Sequence, residues 1–190
     1  SSMQSPSSEV YLHEMPGGQF TNLKAQARSM GLEDRWSEVA HTYADVNKMF
    51  GDIVKVTPSS KVVGDMALMM VAQGIARAEV EDPDKEISFP DSVVDMMKGN
   101  LGQPPGGWPK AIQKKILKNE KPLTERPGKN IAPVDLEKAR KEASDALDGR
   151  AITDDDLMGY LMYPKVFLDY ARRHDVYGPV RTLRTSTFFY

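Results

Sequence analysis

Thr57, Ser60 and Lys61 fall within the run Lys55-Val56-Thr57-Pro58-Ser59-Ser60-Lys61-Val62-Val63-Gly64-Asp65, which crowds hydroxyls and an ammonium at the start of an apolar helical stretch. Backbone N–H groups at a helix start lack intrahelical acceptors and carry partial positive charge. Hydroxyls and an ammonium added there make a compact donor cluster, suited to a carboxylate, an enolate or a polar ring. The same spacing also describes plain architecture. A serine before an apolar helix caps it, worth about 1 kcal/mol. Pro58 presets the turn, and Lys61 can simply be solvated. A threonine hydroxyl at its ordinary acidity is no strong base. It can act as a relay, taking one proton as it gives another, where a substrate supplies both ends.

Other chemistries find little purchase. His13, His41 and His174 are scattered, with no H-x-H or H-x-x-x-H pair, and a metal site needs three or four convergent ligands. Asp154-Asp155-Asp156 sits at a predicted helix start, where acids complement the dipole, and it lacks the spacing and glycine of a calcium loop. There is no G-x-x-x-x-G-K-[ST] or G-x-G-x-x-G phosphate cradle and no G-x-S-x-G elbow. The Gly102–Gly107 segment carries Pro104-Pro105 at its centre, which removes two of the N–H groups such a cradle needs.

The elements that must position Thr57 read as a helical protein. The 190 residues are 40% hydrophobic and 27% charged, with a net charge of −2. That balance supports a core and argues against a nucleic-acid partner, since the basic residues are interleaved with acids. The chain has no cysteine, which excludes disulfides and thiolate sites and fits a reducing compartment, so a cytoplasmic location is expected. No apolar run approaches the ~18 residues of a membrane span. Ser1-Ser2-Met3 carries no signal pattern, and Ser1-Ser2 reads as a cloning scar.

Residues 1–18 read as an extended N-terminal segment ending in the turn Met15-Pro16-Gly17-Gly18. Helices are expected over 20–30, 36–50 and 60–73, with Gly74 as C-terminal stop. Ile53-Val54-Lys55-Val56 is β-like and delivers the chain to Thr57. Further helices follow over 91–98, 109–118 and 134–147. Another runs from Thr153 to 163, with a Thr153/Asp156 capping box. The last begins at Pro164, with Val166, Phe167 and Tyr170 as its buried stripe. Thr182 to Tyr190 reads as a strand. Met66, Met69, Met70, Met96 and Met97 are expected to fill the core. The fold class is mainly α, an irregular multi-helix domain over 19–180 with one or two short strands, the last at 181–190 leading towards a next domain.

Tyr11-Leu12-His13-Glu14-Met15-Pro16-Gly17-Gly18-Gln19-Phe20-Thr21-Asn22-Leu23 resembles the Y-E-H-E-x-P-G-G-Q-Y-T/S-N-L segment of pyruvate carboxylases. So does the stretch from Gly51 to Asp65. Further matches are Phe89-Pro90-Asp91-Ser92-Val93-Val94, Gly102-Gln103-Pro104-Pro105-Gly106-Gly107, Arg126-Pro127-Gly128 and Met162-Tyr163-Pro164-Lys165-Val166-Phe167. The likeness covers nearly the whole chain in order.

The resemblance implies a piece of a biotin-dependent ligase, the C-terminal helical part of the carboxyltransferase domain, normally packed on a TIM barrel. That domain moves a carboxyl group from carboxybiotin to pyruvate and makes oxaloacetate. Biotin is carried on a separate domain, and the divalent metal and most pyruvate-binding groups lie in the barrel. The expected partners are therefore the barrel, the biotin carrier domain and pyruvate or oxaloacetate, within a homo-oligomeric enzyme. The resemblance assigns Thr57 as the proton relay between pyruvate and the biotin ring nitrogen. It assigns Ser60 and Lys61 as contacts to that ring, and Gln19 to the active-site mouth.

Two alternatives stand beside this reading. One is a non-catalytic helical scaffold for dimerisation or for docking the biotin carrier, in which Thr57 and Ser60 serve as caps. The other is a fragment of an oxaloacetate decarboxylase alpha or transcarboxylase subunit, whose members share the P-G-G-Q and T-P-S-S-K elements. Burial discriminates the first: a scaffold leaves the Thr57 hydroxyl and Lys61 ammonium capped or solvated instead of facing a shared concavity.

Overall fold

A computed structural model describes residues 8–118 and 120–179. The ten α-helices described are α1 (Val10–His13), α2 (Gly17–Ser29), α3 (Trp36–Met49), α4 (Ser59–Gln73), α5 (Arg77–Glu81), α6 (Asp91–Lys98), α7 (Lys110–Leu117), α8 (Leu136–Ala146), α9 (Asp154–Met162) and α10 (Pro164–Tyr177). They divide into two compact units, the first running through Ile131 and the second starting at Ala132.

The first unit is organised around α4, which packs against α2, α3 and α6, with α7 on α6. Val62, Val63, Gly64, Met66, Ala67, Leu68, Met69, Met70 and Val71 are all buried, so this helix is apolar nearly all round. A helix of that kind belongs at the centre of a core, not at its surface. Leu23 from α2, Val39, Tyr43 and Val46 from α3, and Val93, Met96 and Met97 from α6 close on it. Gly74 ends α4 in the left-handed conformation at φ 66°, where a residue without Cβ carries no penalty.

In the second unit α9 packs on both α8 and α10. Thr153 and Asp156 form the expected capping box: the Asp156 N–H donates to Thr153 Oγ1 at 3.2 Å, and the Thr153 N–H donates to Asp156 Oδ2 at 3.2 Å. The core here is built from Ala139, Ala143, Leu147, Ile152, Leu157, Phe167 and Ala171.

Three expectations need correction, and one helix was not expected. Ile53–Val56 joins no sheet, and no strand occurs among the described residues. Its backbone groups find a side chain instead of a neighbouring strand, as described below. Val10–His13, inside the segment read as extended, forms a helical turn. The short helix α5 carries no sequence signal strong enough to separate it from its flanking turns. On α10 the buried rung is Phe167 and Ala171, whereas Val166 and Tyr170 are exposed. Both pairs have i,i+4 spacing, one residue apart, so a rotation of about 100° decides which pair faces α9. The strand expected over 182–190 lies outside the described residues.

Candidate functional site

The turn before α4 is held by a residue that spacing alone did not single out. Ser59 Oγ accepts the Val56 N–H at 3.2 Å and lies 2.7 Å from the carbonyl oxygens of both Val54 and Val56, to which its hydroxyl can donate. Side chain-to-backbone bonds of this kind compete with strand pairing, which accounts for the unpaired 53–56 segment. The Thr57–Pro58 peptide bond is cis. The first-turn N–H groups are largely used: Ser60 donates to the Val56 carbonyl at 2.9 Å, and Lys61 and Val62 to the Pro58 carbonyl at 3.1 and 3.2 Å. The donors left at this helix start are therefore side chains more than backbone amides.

With Ser59 closing the turn, Thr57 and Ser60 are spared that duty. No side-chain cap bonds α4, and neither hydroxyl makes a hydrogen bond among the described residues. Thr57 is exposed, while Ser60 is 4% exposed. Gln19 belongs to the seam of α2 with α4. It is 8% exposed, and its Nε2 lies only 2.6 Å from where a Cβ on Gly64 would sit. Ser60 and Gly64 are one turn apart on one face of α4, so the structure brings Gln19 and Ser60 to a common seam. Only glycine at position 64 allows that approach, because Leu23 Cδ1 also lies 2.8 Å from the same point.

Lys61 points elsewhere. Its Nζ lies 2.6 Å from Asp65 Oδ2, and the side chain is 56% exposed. Among the described residues, no cleft of the chain is lined by both Thr57 and Lys61. An apolar cleft of about 200 Å³ adjoins the turn, lined by Val54, Val56, Pro58, Ser59, Gln103 and Trp108.

A second ion pair ties the two motif segments together. Lys55 Nζ lies 2.9 Å from Glu14 Oε2, joining the stretch that leads to Thr57 to the stretch that leads to Gln19. The hydrogen bond from Lys55 holds the Glu14 carboxyl below its usual range. Beside it, His13 is 2% exposed, stacks on Phe20, and accepts the Met15 N–H on Nδ1 at 3.0 Å. No group of three or more metal-ligating side chains occurs among the described residues.

Comparison with known proteins gives a consistent set. Residues 10–190 match the family model described as the conserved carboxylase domain. Pyruvate carboxylase of Bacillus subtilis is 52% identical over 190 residues, which is 100% of this chain and 16% of that protein. Mitochondrial pyruvate carboxylase of Homo sapiens is 44% identical over 186 residues, 98% of this chain and 16% of that one. Among solved structures, the carboxyl transferase domain of Rhizobium etli pyruvate carboxylase with pyruvate and biocytin is 63% identical, with a TM-score of 0.87. The match covers 98% of this chain and 31% of that one. The chain thus spans about one sixth of the length of the curated relatives it matches.

Proposed function

The chain belongs to the conserved carboxylase domain family, as pyruvate carboxylases do, and on that premise we propose that it forms one wall of a carboxyltransferase site where a carboxyl group passes from carboxybiotin to pyruvate, giving oxaloacetate. The observation that carries this reading is the pair of unbonded hydroxyls, Thr57 and Ser60, at the start of α4. The Thr57 hydroxyl is exposed and spared by the local fold, so an outside ligand can reach it.

In this reading biotin, held on another domain, supplies the carboxyl group. Ser60 and Lys61 hold its ring, and both are suited to polar ring atoms: a hydroxyl that can donate or accept, and an ammonium with three donors. Thr57 Oγ1 would receive a proton from the methyl carbon of pyruvate as its own proton leaves toward the ring nitrogen, whose bond to the carboxyl group breaks in the same exchange. The C–H electron pair would leave an enolate, whose carbon would form the new bond to the carboxyl carbon released from that nitrogen. Because the hydroxyl is neutral before and after, no depressed acidity is required of it. Gln19, fixed over Gly64, borders the mouth of the site. The described residues do not fit a divalent cation. We assign that ion, and the stabilisation of enolate charge, to a TIM barrel on which this helical part packs. The 190-residue chain alone is then expected to show no turnover. We place the reaction in the cytoplasm, consistent with the cysteine-free sequence. The relatives also include mitochondrial enzymes.

The test is Thr57→Ala in the full-length enzyme. Loss of a proton relay costs about 10²- to 10⁴-fold in carboxyl transfer, with ATP-dependent carboxylation of biotin unaffected. Transfer at the wild-type rate would refute the assignment. A second reading, a non-catalytic scaffold, is favoured by the exposure of Thr57 and by the Lys61 ammonium, which is solvated and ion-paired. Unchanged transfer in both Thr57→Ala and Lys61→Met would establish it.

A further inference from the structure

Lys61 occupies a position that helix physics does not favour. It is the third residue of α4, at the positive end of the macrodipole, where a cation is destabilised. Its partner Asp65 lies four residues later, and the Lys-before-Asp order is the weaker polarity for such a pair. A lysine placed there for stability alone would be poorly chosen.

Asp65 is not an ordinary surface partner. Its side chain is only 17% exposed. Its Oδ2 takes two donors at once, Lys61 Nζ at 2.6 Å and Ser92 Oγ at 2.7 Å. Ser92 is the second residue of α6, so the carboxylate rests at the start of a second helix, where a negative charge is favoured. Partial burial and the bond to Ser92 restrict the Asp65 rotamer. Restriction of Asp65 in turn fixes where the long, otherwise mobile Lys61 side chain ends. The ammonium spends one donor on Asp65 and keeps two for an acceptor.

We propose that Asp65, anchored by Ser92 across the α4–α6 seam, is a positioning residue that presents the Lys61 ammonium to the carbonyl of the biotin ring. The inference rests on the reading of Lys61 as a ring contact.

The experiment uses the full-length enzyme in the reverse direction, from oxaloacetate to free biotin, read as pyruvate release. The variants are Asp65→Asn, Ser92→Ala, Ser92→Thr, Lys61→Met and the Lys61→Met/Asp65→Asn pair. Asp65→Asn is expected to raise KM for free biotin about 5- to 10-fold, leaving kcat within about 3-fold, as for loss of one charged contact that acts through another group. Ser92→Ala should raise it about 2- to 5-fold, and Ser92→Thr should restore it. In the Lys61→Met background, Asp65→Asn should add less than about 2-fold, since residues acting through one contact are not additive.

Multiplicative effects in the double variant would overturn the proposal, because Asp65 would then act independently of Lys61. So would a raised KM in Lys61→Met with Asp65→Asn unchanged. A wild-type KM in Lys61→Met would instead remove the ring-contact reading itself, and this inference with it. If Asp65→Asn fails to fold, the two Ser92 variants decide: equal KM in Ser92→Ala and Ser92→Thr, both at the wild-type value, overturns the proposal.

Discussion

Gly64→Ala is the sharpest perturbation of the seam that carries Gln19 and Ser60. A Cβ at this position would lie 2.6 Å from Gln19 Nε2 and 2.8 Å from Leu23 Cδ1, where ordinary contact begins at 3.4 Å. The shortfalls are 0.8 and 0.6 Å. Gln19 could swing its amide away, but Leu23 is fully buried and has nowhere to retreat. Relief therefore requires α2 to shift on α4. Overpacking of this size costs about 1–3 kcal/mol. Alanine in place of glycine in a helix interior returns about 0.5–1 kcal/mol. The net expectation is a loss of about 1–2 kcal/mol, read by urea or thermal denaturation of the 190-residue chain. In the full-length enzyme, carboxyl transfer should also fall as Gln19 and Ser60 move apart. A Gly64→Ala chain as stable as the wild type, or more stable, would refute the close approach of α2 and α4. Helix propensity would then have outweighed a clash that does not exist.

Ser59→Ala removes the hydroxyl that binds Val54 and Val56. The expected cost is about 1–2 kcal/mol, with carboxyl transfer in the full-length enzyme reduced at least about 10-fold although Thr57 is intact; an unaltered rate would mean the turn is held by other contacts. Tyr43→Phe deletes a fully buried hydroxyl that has no partner among the described residues. Denaturation should show stability unchanged or raised by up to about 1 kcal/mol, and a clear loss would contradict the unpaired state. Burial holds the His13 imidazole below its ordinary 6.5, with Glu9 opposing and His41 adding to the shift. The unfolded chain therefore takes up the proton first. This contribution is present above about pH 6.5 and is lost as pH falls through the lowered folded value. The melting temperature should drop more steeply between pH 7 and pH 5 in the wild type than in His13→Asn, and parallel curves would exclude the effect.

Local signals carried much of the helical framework. Gly74, Gly99, the Thr153/Asp156 box and Pro164 mark their helix ends through chemistry that acts within one turn. The apolar run of α4 is so dense that no tertiary context could have made it a surface helix. Where the deciding group lies just off the periodic pattern, the sequence was ambiguous. Val54 and Val56 alternate like a strand, yet Ser59, three to five residues on, takes up the backbone groups that a neighbouring strand would have used. The one-residue offset between Val166/Tyr170 and Phe167/Ala171 is likewise invisible until α9 selects a face.

For the site, sequence alone determined the residue types and their order: a threonine able to relay, a serine and a lysine within one turn of it, and a glutamine after a glycine pair. It also placed Asp65 four residues from Lys61, a spacing that is visible but ambiguous. Only the tertiary structure decided which of them are available and which are held. Gln19 and Gly64 are 45 positions apart and Ser92 and Asp65 are 27 apart, so no local pattern can report that they meet. Their meeting depends on helices α2 and α6 both packing against α4. That packing is set by the summed burial of side chains spread over more than a hundred residues, and not by any motif.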